Sequence, residues 1–355
     1  MLNNNSAEST TAKNVLAKTA DLLTLDELSL TADSIAKLQL PNGMIPWFEN
    51  GHCDPWNHVE TAMALDVMGR HENARLAYEW LRTTQRTDGS WFNYFHGDGR
   101  VEETKLDSNV CAYIGTGLWH HWLCTQDLAT LKHFWPMLES AMTWVLKMRR
   151  NDGTILWARE ENEKPWDYAL LTGCSSIRHA LISASKIAVV LNTTRPEWIE
   201  TALQIDLIIQ NDRNAFEPKD RWAMDWYYPV LTGALTGDAA KSRLAEQWNT
   251  FVMPELGVRC VSDEPWVTAS ETAECSLAYS AIGDFDTAKY LLNTTIQHRT
   301  IDGSYLTGLV YPNKIVFPTD ERSAYTGAAI ILAADSLVDI SPASRIFKYD
   351  ELDNY

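Results

Sequence analysis

Residues 80–91 read Trp-Leu-Arg-Thr-Thr-Gln-Arg-Thr-Asp-Gly-Ser-Trp, and this pattern decides the fold because it returns along the whole chain. Gln85 ends a helical run, Gly89 follows after three intervening residues, and Trp91 follows after one more. Five other stretches repeat the spacing, with Gln, Arg or Met first and Gly or Asn second. The six copies begin at Gln39, Gln85, Arg149, Gln210, Met253 and Arg299. Repeats at this period indicate stacked supersecondary units. We expect the Gly or Asn to take a positive φ and close a helix.

Each copy separates two predicted helices of different character. The helices before the copies carry charge on one face, and they span 12–38, 73–86, 131–149, 197–210, 239–251 and 285–299. The helices after the copies are rich in small residues with few charges beyond the first turn, and they span 55–69, 107–124, 172–191, 223–236, 267–282 and 319–338. A helix that is apolar nearly all round is a buried helix. The alternation therefore predicts two concentric rings, an all-α (α/α)6 toroid with little or no sheet. It forms a single domain over 1–355, with loose termini at 1–11 and 342–355.

Composition limits the partners. The formal net charge of −17 opposes binding to nucleic acid or to an anionic membrane, which both require a basic surface. No run of about 18 apolar residues predicts a membrane span, and the first residues do not resemble a signal peptide. The six cysteines lack CxxC spacing. We therefore expect reduced core cysteines in a cytoplasmic protein that holds no metal and no cofactor.

Tryptophan is unusually frequent, with fifteen residues, and many lie near the starts of the predicted inner helices. Such residues can form an aromatic wall at the mouth of the toroid. The side chains that we expect to contact substrate are Trp47, Trp56, His58, Trp91, Asn109, Arg178, Trp226, Tyr227, Trp266 and Tyr325. Indole faces attract both the C–H surfaces of sugars and positive charge, so they suit either a sugar or a developing carbocation.

Every inner helix also carries a carboxylate or another strong polar group near its N-terminal end. The candidate catalytic acids are Asp54, Asp107, Glu160, Asp225, Glu271, Glu274 and Asp320. First-turn acids also cap helices and complement the helix dipole, and Asp54 before Pro55 fits that structural role. Capping does not explain Glu274, which lies two turns inside an apolar helix. A buried carboxylate needs a partner or a raised pKa, which suggests function.

Two families share these motifs. Residues 80–91 resemble the QW repeat of triterpene cyclases and the related toroids of protein prenyltransferases. Residues 105–160 and 267–337 resemble glucoamylase-type glycosidases, which use the same six-hairpin architecture. The stretches that carry this second resemblance are Leu106-Asp107-Ser108-Asn109, Phe134-Trp135-Pro136, Asp152-Gly153-x3-Trp157-x-Arg159 and Phe317-Pro318-x4-Ser323.

Neither family's catalytic motif is complete in this chain. There is no DxDD acid of the cyclase type, and Ala158 stands where the glycosidase resemblance implies a general-acid Glu. Three hypotheses remain at this point. The first is a carbohydrate-active enzyme with two carboxylates, one from Glu160, Asp107 or Asp54 and one from Glu271, Glu274 or Asp320. The second is a cyclase-like or prenyltransferase-like enzyme that acts on an isoprenoid, with Asp225 or Asp320 as the acid. The third is a non-catalytic binding toroid.

Overall fold

A computed structural model of the protein describes residues 23–349 and consists of six helical hairpins. In each hairpin an outer helix precedes an inner one. The outer helices are α1 (Leu25–Leu38), α3 (His71–Thr84), α6 (Leu128–Leu146), α8 (Pro196–Asn211), α10 (Gly237–Phe251) and α12 (Phe285–Thr294). The inner helices are α2 (Pro55–Val67), α4 (Ser108–Ala112) with its continuation α5 (Ile114–Thr125), α7 (Leu171–Val190), α9 (Ala223–Leu231), α11 (Ala269–Ala281) and α13 (Ala324–Val338).

The inner helices form a closed ring. Each packs against the inner helix of the next hairpin, and α13 returns to pack against α2. Their sequences explain this position, since small and apolar residues allow close contact on all sides. In α2 every residue except Asn57 is buried, and in α13 every residue except Tyr325 is buried. The predicted (α/α)6 toroid is therefore confirmed.

The repeated sequence pattern joins neighbouring hairpins. Gln85 caps the C-terminus of α3, and its side-chain amide donates hydrogen bonds to the carbonyl oxygens of Gly89 at 2.9 Å and Met137 at 2.9 Å. Met137 belongs to the next outer helix, so one side chain ties two hairpins together. Arg299 closes the outer ring in the same way by donating to the carbonyl of Glu27, at 3.3 Å, on α1.

The glycines of the pattern take the predicted positive φ, but Gly89 does not close the preceding helix as predicted. The helix ends at Gln85, and Gly89 lies in the turn that follows, with φ near +98°. A Cβ atom there would meet the carbonyl oxygen of Ser140 at 2.2 Å, so the glycine permits close approach to the next outer helix. The fourth copy departs from the prediction, because Asn214 lies in a 3-10 helix (Arg213–Ala215).

Sheet is confined to short pieces, as predicted, and these pieces lie in the connections that lead from outer to inner helices. The strands are β1 (Tyr94–Phe95), β2 (Val101–Glu103), β3 (Leu106–Asp107), β4 (Ala158–Arg159), β5 (Val252–Met253), β6 (Gly257–Val258), β7 (Trp266–Thr268), β8 (Gly308–Val310) and β9 (Ile315–Val316). All pairs are antiparallel, in the order β1-β2, β3-β4, β5-β6 and β7-β8-β9. A second 3-10 helix spans Thr295–His298.

The chain packs against the inner ring up to its last described residues. Phe347 is buried against the ring of His179, with ring centroids 5.1 Å apart, and the Tyr349 hydroxyl donates to the carbonyl of Leu231 at 3.1 Å. The prediction of a loose tail from 342 is therefore wrong for residues 342–349. Residues 1–11, 350–355 and the start of the helix predicted at 12–38 lie outside the described residues. Within 23–349, no helix combines the length and apolarity needed to cross a bilayer.

Candidate active site

The inner ring opens toward solvent at the N-terminal ends of its helices. In the first two turns of each inner helix, the accessible residues are confined to the second and third positions. These accessible residues are Asn57, Asn109, Val110, Thr172, Met224, Glu271 and Tyr325. All other residues in these turns are buried, so these seven side chains are the accessible ones at the N-terminal end of the inner ring, and we call this set the mouth. A concave site ringed by a few polar groups is the usual location of a ligand.

One turn below the mouth, buried side chains form a floor. The floor consists of the sixth residue of each inner helix, where the second inner helix is counted from the first residue of α4. The floor residues are Glu60, Tyr113, Ser176, Tyr228, Glu274 and Ala329, all buried. The Trp56 ring stacks on Tyr113 with centroids 4.5 Å apart and lies 6.5 Å from Tyr228. Since Trp56 and Tyr228 come from opposite sides of the ring, their side chains meet across the toroid axis.

The floor contains two buried carboxyl groups. Burial raises the pKa of Glu274 to about 8, against a hydrogen bond from the Tyr227 hydroxyl that lowers it. Burial likewise raises the pKa of Glu60 well above its ordinary value, and the charges of Glu274, Asp54 and Glu271 raise it further. Both floor carboxyl groups are therefore harder to ionise than an exposed Glu, and the charge of Glu274 adds to this effect at Glu60.

Asp54 is buried beside the mouth residue Asn57 and caps α2. Its Oδ1 accepts the backbone N–H of Asn57 at 3.0 Å, and its Oδ2 accepts the Trp47 indole N–H at 2.6 Å and the Asn57 side-chain amide at 2.7 Å. Burial raises the pKa of Asp54, while these donors oppose the shift. The Trp47 ring also contacts Tyr325 and Tyr94, at centroid distances of 4.8 and 5.9 Å. Asp54 is thus the N-cap of α2, and it is bonded to Trp47, whose ring packs against Tyr94 and Tyr325.

Glu271 lies in the first turn of α11, the inner helix that packs against α13 and so neighbours Tyr325. Its Oε2 accepts the Ser270 hydroxyl at 2.7 Å, and its Oε1 is 3.2 Å from the Cys260 thiol. Burial raises the pKa of Tyr325, and the charge of Glu271 is the next cause. Tyr325 is therefore within the electrostatic influence of Glu271 and in ring contact with Trp47, the partner of Asp54.

Two other predicted acids also lie at inner-helix starts. Asp107 caps α4 and accepts the indole N–H of Trp157, so it repeats the arrangement of Asp54 and Trp47. Burial raises the pKa of Asp225 to about 6, and its Oδ1 has no hydrogen-bond partner.

The last two predicted acids lie in the connecting loops. Glu160 directly follows β4 and is partly exposed. Asp320 is exposed in the loop before α13 with φ near +58°.

Several predicted substrate contacts are engaged in the wall between the rings instead. His58 bonds the backbone N–H of Ile45 at 3.1 Å and the carbonyl of Ala77 at 2.9 Å, and Arg178 pairs with Asp206 at 2.7 Å. Inner helices that are apolar on all sides give no sequence signal for which face turns toward the axis, so the prediction placed these side chains on the wrong face.

The same correction applies to two tryptophans. The indole N–H groups of Trp91 and Trp226 donate to the carbonyls of Leu81, at 2.8 Å, and Arg243, at 2.9 Å, in outer helices. Trp266 is partly exposed, and its N–H donates to the carbonyl of Phe317 at 3.1 Å.

Of the six floor residues, sequence reasoning selected only Glu274, and it missed three with ionisable side chains, Glu60, Tyr113 and Tyr228. A signal for them was present, because all three share the sixth helical position with Glu274. Aligning the inner helices by their starts, rather than reading each alone, identifies this level.

Comparisons with known proteins find a relative by sequence and several solved structures with the same fold. The chain is 47% identical over 327 residues to an MMP endo-(1,4)-3-O-methyl-alpha-D-mannosidase from Mycolicibacterium hassiacum, covering 92% of this chain and 90% of the relative. A wild-type glycosidase of known structure superposes with a TM-score of 0.71 at 12% identity, over 89% of this chain and 98% of that one. A D-mannose isomerase superposes with a TM-score of 0.70 at 12% identity, over 88% and 96%. No protein-family model matches the chain. These relatives give no support to the isoprenoid alternative.

Proposed function

The chain belongs to the family of this endo-mannosidase and is a glycosidase-like enzyme, and we propose that it hydrolyses internal α-1,4 bonds of a mannan bearing 3-O-methyl groups. The observation that carries the proposal is the 47% identity over nearly the full length of both chains. The mouth, with carboxylates and aromatic rings side by side, supports the same chemistry.

We assign Asp54 and Glu271 as the acting pair. Glycosidic hydrolysis needs two carboxyl groups that flank the bond, roughly 5–10 Å apart. Glu271 is an accessible carboxylate at the inner-helix mouth. Asp54 is linked to it through Trp47, which bonds Asp54, and through Tyr325, which contacts Trp47 and lies within the electrostatic influence of Glu271. The floor acids Glu60 and Glu274 lie deeper along the inner helices, at the sixth position, whereas Asp54 is the N-cap of α2 and Glu271 lies in the first turn of α11.

The environments of the pair indicate different roles. Burial raises the pKa of Asp54, which favours a carboxyl that can give a proton to the leaving sugar oxygen. Glu271 reaches solvent and is suited to act on the opposite side of the sugar, as the base for a water molecule or as the nucleophile. Trp47, Tyr94 and Tyr325 present aromatic surface beside Asp54, which suits sugar C–H groups and a methyl ether.

Two substrates whose leaving groups differ in their need for a proton distinguish the proton donor from the base or nucleophile. We expect Asp54→Asn and Glu271→Gln each to lower kcat/KM on a 3-O-methylmannose oligosaccharide by about 10²–10⁴-fold. On a dinitrophenyl α-mannoside, whose leaving group needs no proton, Asp54→Asn should recover most of its rate while Glu271→Gln should not. The exposed loop variant Glu163→Gln is the control. Activity within twofold of wild type for both mouth variants would refute the assignment.

A further inference from the structure

A second concave site lies on the mouth side of the toroid, between the sixth and first hairpins. It is a groove of about 510 Å³, a size typical of ligand pockets. One wall is the C-terminal end of α1, and the other is the loop at 319–323 with the start of α13. The groove is separate from the axial floor, and its lining includes none of the mouth or floor residues described above.

The groove is built from the sequence neighbours of Trp47 and Tyr325. Phe48 lines it and directly follows Trp47, while Ser323 and Ala324 line it and directly precede Tyr325. The backbone N–H of Ala324 donates to the carbonyl of Trp47 at 2.6 Å, which holds these two segments together. The groove and the aromatic group around Asp54 therefore share the same two chain segments.

The lining is suited to a neutral polyol. Phe48 is half-buried and offers a ring face. Two cations, Lys37 and Arg322, lie among four carboxylates, Glu49, Asp302, Asp320 and Glu321, and Arg322 contacts Asp302 at 3.4 Å. The excess of negative charge opposes a phosphate or nucleotide, whereas hydroxyl groups can both donate to the carboxylates and accept from the cations.

We propose that this groove binds sugar residues of the polysaccharide that lie beyond the cleaved bond, so that it acts as a remote subsite. The inference rests on the proposed function. It gives the enzyme a preference for long chains, since residues outside the mouth add binding energy that short fragments cannot use.

The test compares long and short 3-O-methylmannose oligosaccharides on the inactive Glu271→Gln background by calorimetry. Phe48→Ala and Arg322→Ala should each weaken the binding of the long chain at least fivefold and leave the short chain within twofold. Phe285→Ala and Arg75→Ala, which alter an exposed Phe and an ion-paired Arg on outer helices, are the matched controls.

Two failures are distinguishable. If the long chain binds no more tightly than the short one, or if the groove variants change both equally, the groove proposal is overturned while the function stands. If no mannoside of either length binds to or is cleaved by the wild-type enzyme, the proposed function fails and the subsite fails with it.

Discussion

The buried floor acid Glu274 gives a quantitative prediction for stability. In the folded protein its pKa is about 8, compared with 4.5 for an unperturbed Glu, and the cause is burial. At 1.36 kcal/mol per pKa unit, ionising this group inside the fold costs at most roughly 5 kcal/mol. Between these two pKa values the folded state binds more protons than the unfolded state. Its contribution to stability is therefore fully present below about pH 4.5 and is lost as the pH rises through about 8.

The variant Glu274→Gln should remove this pH dependence. The Gln carbonyl oxygen can still accept the Tyr227 hydroxyl, and the side chain has nearly the same volume. We expect the variant to match wild type within about 1 kcal/mol at pH 5 and to exceed it by several kcal/mol at pH 9. Urea unfolding at pH 5, 7 and 9 measures the difference, with Glu163→Gln as the exposed control. If the variant loses stability with rising pH as steeply as wild type and the control do, the reasoning about a neutral floor acid is wrong.

Three further predictions concern the ring and its floor. Gln85→Ala should cost about 1–3 kcal/mol in urea unfolding, because two carbonyl groups lose their donor between neighbouring hairpins; an unchanged midpoint would contradict the clamp. Gly115→Ala should destabilise by about 1–3 kcal/mol, because the new Cβ would lie 2.5 Å from the carbonyl oxygen of Ala180. Gly173→Ala is the matched control for it, since its nearest neighbours lie 3.7 and 3.8 Å away, and equal melting temperatures for these two variants would count against close packing of α5 on α7. Adding Glu60→Gln to Glu274→Gln should further reduce the fall of the unfolding free energy above neutral pH. If that pH dependence is the same in the single and double variants, Glu60 is not a protonated carboxyl group in the folded protein.

The fold could be predicted from the sequence because the repeated Gln-x3-Gly pattern marks both the turn after each outer helix and the contact between neighbouring hairpins. Gln85 and Gly89 form the contact between one outer helix and the next. Similar contacts recur around the ring, so the spacing of the two residues recurs along the sequence. The contrast between charged outer helices and apolar inner ones then fixes which ring each belongs to.

The site was predictable only in part. First-turn acids such as Asp54 and Glu271 could be placed at the mouth, because inner helices share a direction in such a toroid. The orientation of His58 and Arg178 could not, since a helix buried on all sides has no polar face to mark its rotation. The substrate class likewise depends on the placement of side chains around Trp47 and Tyr325, which sequence periodicity does not show. The proposed substrate therefore rests on the comparison with the mannosidase.

The most direct test of the central claim is product analysis of an α-1,4-linked 3-O-methylmannose oligosaccharide after incubation with the purified protein. Mass spectrometry should show shorter oligosaccharides from internal cleavage by wild type and none from Glu271→Gln. An intact substrate with the wild-type protein, or the same products from the Glu271→Gln variant, would contradict the account.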